Sequence, residues 1–303
     1  MEIYSLAFLL LFQFPFSCNE ALDLLASSPI TDSRQKLNSH KSGLVNIVFK
    51  STDGGQTWQD MSEGLPEGLK EDGFFATTNG LYLQAENGLY HSSPNSTAPY
   101  WEKDRFPDQL GRMYTNFQEK QVRIVFETVG GTAFIGSDNG LLKSTNGGET
   151  WKRVHTGGWV MKLVESNGVL MATSQKGILR STDDGESWDC VISEGGVGIA
   201  VERINGGFAA ITYNTQSETR RVRTSYDGGK SWQPIDADLP ASLSIASIVE
   251  VGDYFFCGHP AGIFRSSDKG KTWKLLFPSI DNKVFNLSVS GNVIYAIPRA
   301  GGC

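Results

Sequence analysis

Arg105 and Arg112 fall in the segment EKDRFPDQLGRMYTNFQEKQ (102–121), with Tyr114 two positions after the second arginine. A guanidinium is a planar fork that pairs bidentately with carboxylates, so two of them in one segment suit an acidic glycan or an acidic stretch of protein. Trp159, in HTGGW, adds an aromatic plane, and His259, in GHPAG, an imidazole. Arg, Tyr and Trp are the types over-represented where binding energy concentrates. These five residues are the candidate ligand contacts. The competing reading is that the arginines pair with Asp104, Asp108 or Glu119 of the same segment and only solvate it.

Cleavage of a glycosidic bond would require two carboxylates about 5 to 9.5 Å apart. Glu194 in SEGG, Asp236 and Asp238 in DADLP, and Asp138 are available. Nothing in the sequence pairs them, and no catalytic residue is assigned. The four histidines are dispersed and no CxxC occurs, so no zinc-site spacing exists and neither metal nor other cofactor is expected. With 27 Lys+Arg against 33 Asp+Glu, the net charge of −6 offers no footprint for nucleic acid.

Five further acidic or amide residues belong to a repeat. STDGGQTW from Ser51, STNGGETW from Ser144, STDDGESW from Ser181, SYDGGKSW from Ser225 and SSDKGKTW from Ser266 match one another. They resemble the Asp-box motif, S-x-D-x-G-x-T-W, of sialidases and other secreted β-propellers. A sixth, degenerate copy begins at Ser92, where SSPNSTAPYW has lost the acidic residue and the glycines. Asp53, Asn146, Asp183, Asp227 and Asp268 are therefore structural: each side chain accepts backbone N–H bonds inside a tight turn, and Asn serves as well as Asp.

The starting serines are spaced by 41, 52, 37, 44 and 41 residues, a mean of 43. That period is one four-stranded propeller blade. Runs such as MKLVESNGVLMATSQKGILRS (161–181) show two apolar strands, a glycine and a third strand leading into the box, and the Trp starts a fourth. Only one strand, LVNIVFKS (44–51), precedes the first box, while VFNLSVSG (284–291) and NVIYAIPR (292–299) follow the last fourth strand. The fold class expected is all-β: a six-bladed propeller whose N- and C-terminal strands share one blade and close the ring.

In such folds the loops joining blades, with those between second and third strands, share one face, opposite the box turns. The five candidate contacts lie in connectors assigned to that face. The sialidase resemblance covers residues 44–303 and implies a six-blade count, three arginines around a substrate carboxylate, and a Tyr nucleophile. The Phe/Tyr-Arg-Ile-Pro motif that carries the first arginine is missing before Ser51; VRIV (122–125) matches it only at Arg123 and Ile124. Photosystem II assembly factors, sortilin-type receptor domains and xyloglucan-cleaving glycosidases resemble the chain equally. The expected function is a non-catalytic binding or scaffold propeller for a glycan or protein ligand. The alternative is a sialidase-like glycoside hydrolase.

MEIYSLAFLLLFQFPFSC begins with an apolar run too short to span a bilayer, followed by a polar stretch to Gly43. Residues 1–18 are expected to be a signal peptide, 19–43 a polar linker and 44–303 the propeller, exported to the cell envelope or beyond. Ser17-Cys18 resembles the tail of a bacterial lipobox, which implies a lipid anchor at Cys18; cleavage nearby without lipidation is the other outcome. Without Cys18 an odd number of cysteines remains, so no disulfide framework is expected. Oligomeric state is not legible.

Overall fold

The structure is a computed structural model in which residues 46–65, 69–77, 80–85, 88–98, 100–104 and 122–300 are described. Apolar runs bounded by glycine and asparagine form strands throughout, and among the described residues there is no helix. β1 (Phe49–Ser51) and β2 (Gln59–Asp60) come first. Sheet 2 holds β3 (Leu69–Thr77), β4 (Gly80–Ala85), β5 (Gly88–Ser92) and β6 (Glu102–Asp104). Sheet 3 holds β7 (Val122–Glu127), β8 (Ala133–Ser137), β9 (Gly140–Ser144) and β10 (Lys152–His155). Sheet 4 is β11 (Val160–Ser166), β12 (Val169–Ser174), β13 (Gly177–Ser181) and β14 (Asp189–Ile192). Sheet 5 is β15 (Gly195–Ile204), β16 (Gly207–Asn214), β17 (Thr219–Ser225) and β18 (Gln233–Pro234). Sheet 6 is β19 (Ser247–Val251), β20 (Tyr254–His259), β21 (Gly262–Ser266) and β22 (Lys274–Pro278).

Sheet 1 is composite. β23 (Val284–Ser290) and β24 (Val293–Arg299) pair with each other, and β24 runs antiparallel to β1 with Lys50 opposite Tyr295, in the order β2-β1-β24-β23. The first strand is shorter than LVNIVFKS predicts. Asn46 takes a positive φ of 60° and donates its N–H to Asp60 Oδ2 at 3.0 Å, so the chain enters by a bend. The polar run ETRRVR (218–223) is mostly strand: β17 pairs with β16 from Asn214↔Thr219 to Phe208↔Ser225. Asn214 Oδ1 closes that hairpin by accepting from Gln216 and Ser217 N–H, each at 2.9 Å.

The core lies in layers between successive sheets. Phe49, Phe256, Phe285 and Ile294 fill the layer joining sheets 6 and 1, while Met61, Leu81, Trp101 and Tyr295 join sheets 1 and 2. Phe134, Leu163 and Leu179 join sheets 3 and 4, and Met171, Ile178, Val201 and Phe208 join sheets 4 and 5. The inner edge strands β11, β15, β19 and β23 pack one against the next. Cys190 is exposed and Cys257 buried, both with free thiols.

Each intact box is one hydrogen-bonded turn between third and fourth strands. In the first, Ser51 Oγ donates to Asp53 Oδ1 at 2.9 Å and accepts from Gly55 N–H at 2.9 Å. Asp53 Oδ1 also accepts from Thr57 N–H at 3.0 Å, and Oδ2 from Thr57 Oγ1 at 2.6 Å. Asn146 keeps this pattern with one bond reversed, its Nδ2 donating to Thr150 Oγ1 at 3.0 Å. The first glycine of the pair is replaceable: Asp184 and Lys269 take the same left-handed φ, 56° and 58°, as Gly54 at 69°, and a Cβ at Gly54 would meet nothing. The second glycine is not, because the turn docks there on the preceding sheet. A Cβ at Gly229 would lie 1.7 Å from Met171 Cε, and one at Gly185 2.4 Å from Phe134 Cζ.

A basic residue before the box serine completes the contact from the other side. Arg180 Nε donates to Gly228 O at 2.6 Å, Arg265 Nη1 to Gly54 O at 2.9 Å, and buried Lys143 pairs with Glu186 at 2.9 Å and Asp184 at 3.2 Å. Lys50 donates to Ser96 O at 3.1 Å in the degenerate box. Each of these reaches from one sheet into the turn of the next.

Candidate functional site

Among the described residues, sheet 5 and the connector leaving it bring Arg220, Arg221, Arg223 and Asp236 together with Glu194 on the face opposite the boxes. Glu194 stands immediately before β15, where its carboxylate meets side chains from β16 and β17. Thr212 Oγ1 donates to it at 2.7 Å, Asn214 Nδ2 at 3.1 Å and Arg223 Nη1 at 2.9 Å, with Arg223 Nη2 closing a fork. Both charged side chains are largely buried, 16% and 13% exposed. Burial alone would raise the Glu194 carboxyl, but the bonds from Thr212 and Asn214 and the charge of Arg223 hold it below the usual carboxylate range.

Arg221, two positions earlier and so on the same side of β17, forks onto Asp236: Nε donates to Oδ2 at 2.8 Å and Nη2 to Oδ1 at 3.1 Å. Asp236 Oδ2 also accepts from Val222 N–H at 2.9 Å. The bond to Asp236 raises the Arg221 guanidinium further. Arg220 ties down the rest of the connector, its N–H donating to Ser242 O at 2.8 Å and its Nη1 to Ile245 O at 2.9 Å. Arg220, Arg221, Asp236, Pro240 and Ile245 line a cavity of about 270 Å³ between strand and connector.

Of the candidate contacts, Arg105, Arg112 and Tyr114 lie outside the described residues, as does Cys18. Trp159 is half-buried at the end of the connector from sheet 3 to sheet 4, its carbonyl accepting from Gln175 N–H at 3.3 Å. Close by, burial first and the charge of Lys176 second lower the pKa of His155, whose Nε2 is buried without a partner. His259 is 4% exposed, and both ring nitrogens are engaged: Nδ1 accepts from Ala261 N–H at 3.0 Å, so Nε2 donates to Pro240 O at 2.9 Å. Burial lowers its pKa and keeps it neutral, so it anchors the 235–246 connector from beneath. Trp159 thus lies on a connector, whereas His259, expected on one, ends strand β20 and touches the 235–246 connector from there; the Arg221–Asp236 pair sits with that connector and the Glu194–Arg223 pair beside it on sheet 5.

The family model for the BNR/Asp-box repeat matches residues 49–60, which are β1, the first box and β2. Two solved structures share the architecture at TM-scores above one half. An ancestral GH74 enzyme is 20% identical with a TM-score of 0.51, covering 61% of this chain and 28% of its own. The extracellular domain of a hybrid two-component system from B. thetaiotaomicron is 13% identical with a TM-score of 0.53, covering 86% of this chain and 35% of its own. The chain carries the BNR/Asp-box repeat on an all-β fold consistent with a propeller. It spans about a third of the length of these neighbours, and at these identities the likeness is one of fold. No curated protein matches the chain.

The boxes bind sheet to sheet, and on the connector face polar groups gather around a cavity. Its three neighbouring arginines, Arg220, Arg221 and Arg223, each hold a group of the protein itself. They do not form an open cluster of the kind a substrate carboxylate needs. Arg123, from the partial VRIV match, lies on β7. Among the described residues no group of three His, Cys, Asp or Glu side chains is placed to hold a metal ion.

Proposed function

We propose that this chain is an exported, closed six-bladed propeller that binds a glycan or protein ligand at its connector face and does no chemistry on it. The observation that carries this is the engagement of the connector-face carboxylates. Glu194 is forked by Arg223, a partner that disfavours the proton a general acid must hold, and both Asp236 oxygens are committed to Arg221. Export is supported by the apolar N-terminal run, with the signal ending near Cys18 and the linker running to Gly43. Lipidation at Cys18 would hold the protein at a membrane surface. Six boxes or box remnants, six sheets and the composite sheet 1 support ring closure.

The ligand contacts we assign are Arg105, Arg112, Tyr114 and Trp159, with His259 fixing a neighbouring connector. The test has two arms. Purified mature protein is expected to release no chromophore from aryl glycosides, sialosides included; turnover would establish the hydrolase reading. A ligand identified by pull-down or glycan array is expected to bind the Arg105→Ala/Arg112→Ala double variant about tenfold or more weakly, while Lys230→Ala on the box face binds as the parent does. Unchanged affinity in the double variant would move the site elsewhere.

A further inference from the structure

The ends of the inner strands opposite the connectors carry a second cavity, independent of the connector-face reading. In an antiparallel four-stranded sheet the turn between first and second strands lies at the same end as the turn between third and fourth. The Asn167-Gly168 and Asn205-Gly206 turns therefore share a face with the boxes. There Ser166 and Asn167 of sheet 4, Arg203, Asn205 and Gly206 of sheet 5, and Glu250 of sheet 6 surround a cavity of about 570 Å³.

Its polar groups are unevenly engaged. Glu250 Oε2 accepts the Asn205 backbone N–H, which fixes the carboxylate at the rim. Glu202, the acidic neighbour of Arg203, is committed to Lys162. The Arg203 guanidinium and the side-chain amides of Asn167 and Asn205 have no hydrogen-bond or ion-pair partner among the described residues. Asn167 is held at a left-handed φ of 51°. Tyr226, 48% exposed, stands next to Gly206 of the rim: a Cβ at Gly206 would lie 3.9 Å from its ring, and the Lys269 amine lies 5.5 Å from the ring centroid.

We propose that this cavity is a binding site for a neutral oligosaccharide. Arg203 and Glu250 cancel in charge, and each is a planar group able to make two hydrogen bonds to vicinal hydroxyls. The two asparagine amides offer donor and acceptor together, which suits hydroxyls of either sense. The Tyr226 ring supplies the apolar wall on which a sugar ring rests its C–H face. With its charge offset by Glu250, Arg203 offers an acidic saccharide no net attraction to set against the desolvation of its carboxylates.

The test uses the full mature chain and defined tetrasaccharides: the β-1,4-linked glucose, mannose and galactose oligomers, the α-1,4-linked glucose oligomer, and tetragalacturonate as the acidic member. Saturation-transfer NMR is expected to detect at least one neutral tetrasaccharide, with weaker or no signal from tetragalacturonate. Arg203→Ala and Tyr226→Ala are each expected to weaken that binding about tenfold with an unchanged thermal midpoint. The proposal is overturned if no neutral tetrasaccharide binds at millimolar concentration, if tetragalacturonate binds more tightly than all of them, or if both variants keep the parent affinity.

Discussion

The box aspartates make acid stability a property of single side chains. Hydrogen bonds from Thr272 and Ser266 hold the Asp268 carboxyl down at about 2, and those from Ser187 and Ser181 hold Asp183, and from Ser231 and Ser225 Asp227, well below the carboxylate range. A carboxyl whose folded pKa is depressed stabilises the fold at every pH above its unfolded value near 4, and that contribution is lost as pH falls through the folded value. Between about pH 5 and pH 2 the thermal midpoint is therefore expected to fall steeply. In an Asp183→Asn/Asp227→Asn variant the fall should be shallower, since Asn146 shows that an amide completes the same turn without titrating. Equal slopes in scanning calorimetry would mean that these carboxylates do not govern acid unfolding.

At the scale of the element, two box tryptophans do something the other four do not. Trp58, Trp151, Trp188 and Trp232 donate to a carbonyl within their own turn, at 3.0 to 3.2 Å. Trp101 and Trp273 are buried and donate across a sheet boundary, to Met61 O at 2.8 Å and Ile235 O at 2.7 Å. Both acceptors follow a fourth strand of only two residues, β2 or β18, so the indole from the next sheet occupies the space a longer strand would fill. Trp273→Phe strands a buried carbonyl and is expected to cost about 1–3 kcal/mol, against less than about 1 kcal/mol for Trp232→Phe; urea denaturation would separate them. The box turns are legible in the sequence because the bonds made by their Ser and Asp or Asn side chains span four residues or fewer. The Glu194–Arg223 pair spans 29 residues and depends on the β16–β17 register, which no local pattern reveals. The basic residues before four of the box serines, Lys50, Lys143, Arg180 and Arg265, are visible in the sequence, but their partners, one sheet away, are not.

For the whole molecule the composite sheet is decisive. Removing residues 284–303 takes two strands from sheet 1, exposes β1 as an unpaired edge and strips Phe285 and Ile294 from a core layer. The truncated chain is expected to be insoluble or to lose cooperative unfolding. A soluble product with the parent's circular dichroism and thermal midpoint would mean that sheet 1 does not hold the fold together. What sequence reading supplied at this scale, the sharing of one sheet by the two ends, came from counting strands on either side of the boxes. The face that binds a ligand could not be counted in this way, because it is assembled from connectors that share no repeat.

β1 also imposes an order on biosynthesis. It is the first described strand to leave the ribosome, yet its partner β24 is among the last, so β1 stays half-paired while every other sheet can form from neighbouring residues. A chain that crosses a membrane from its N-terminus would carry this open edge through the whole passage. Its exposure to proteases and to holding chaperones then ends only when the final strands emerge, and the time to that event is set by translation and transport.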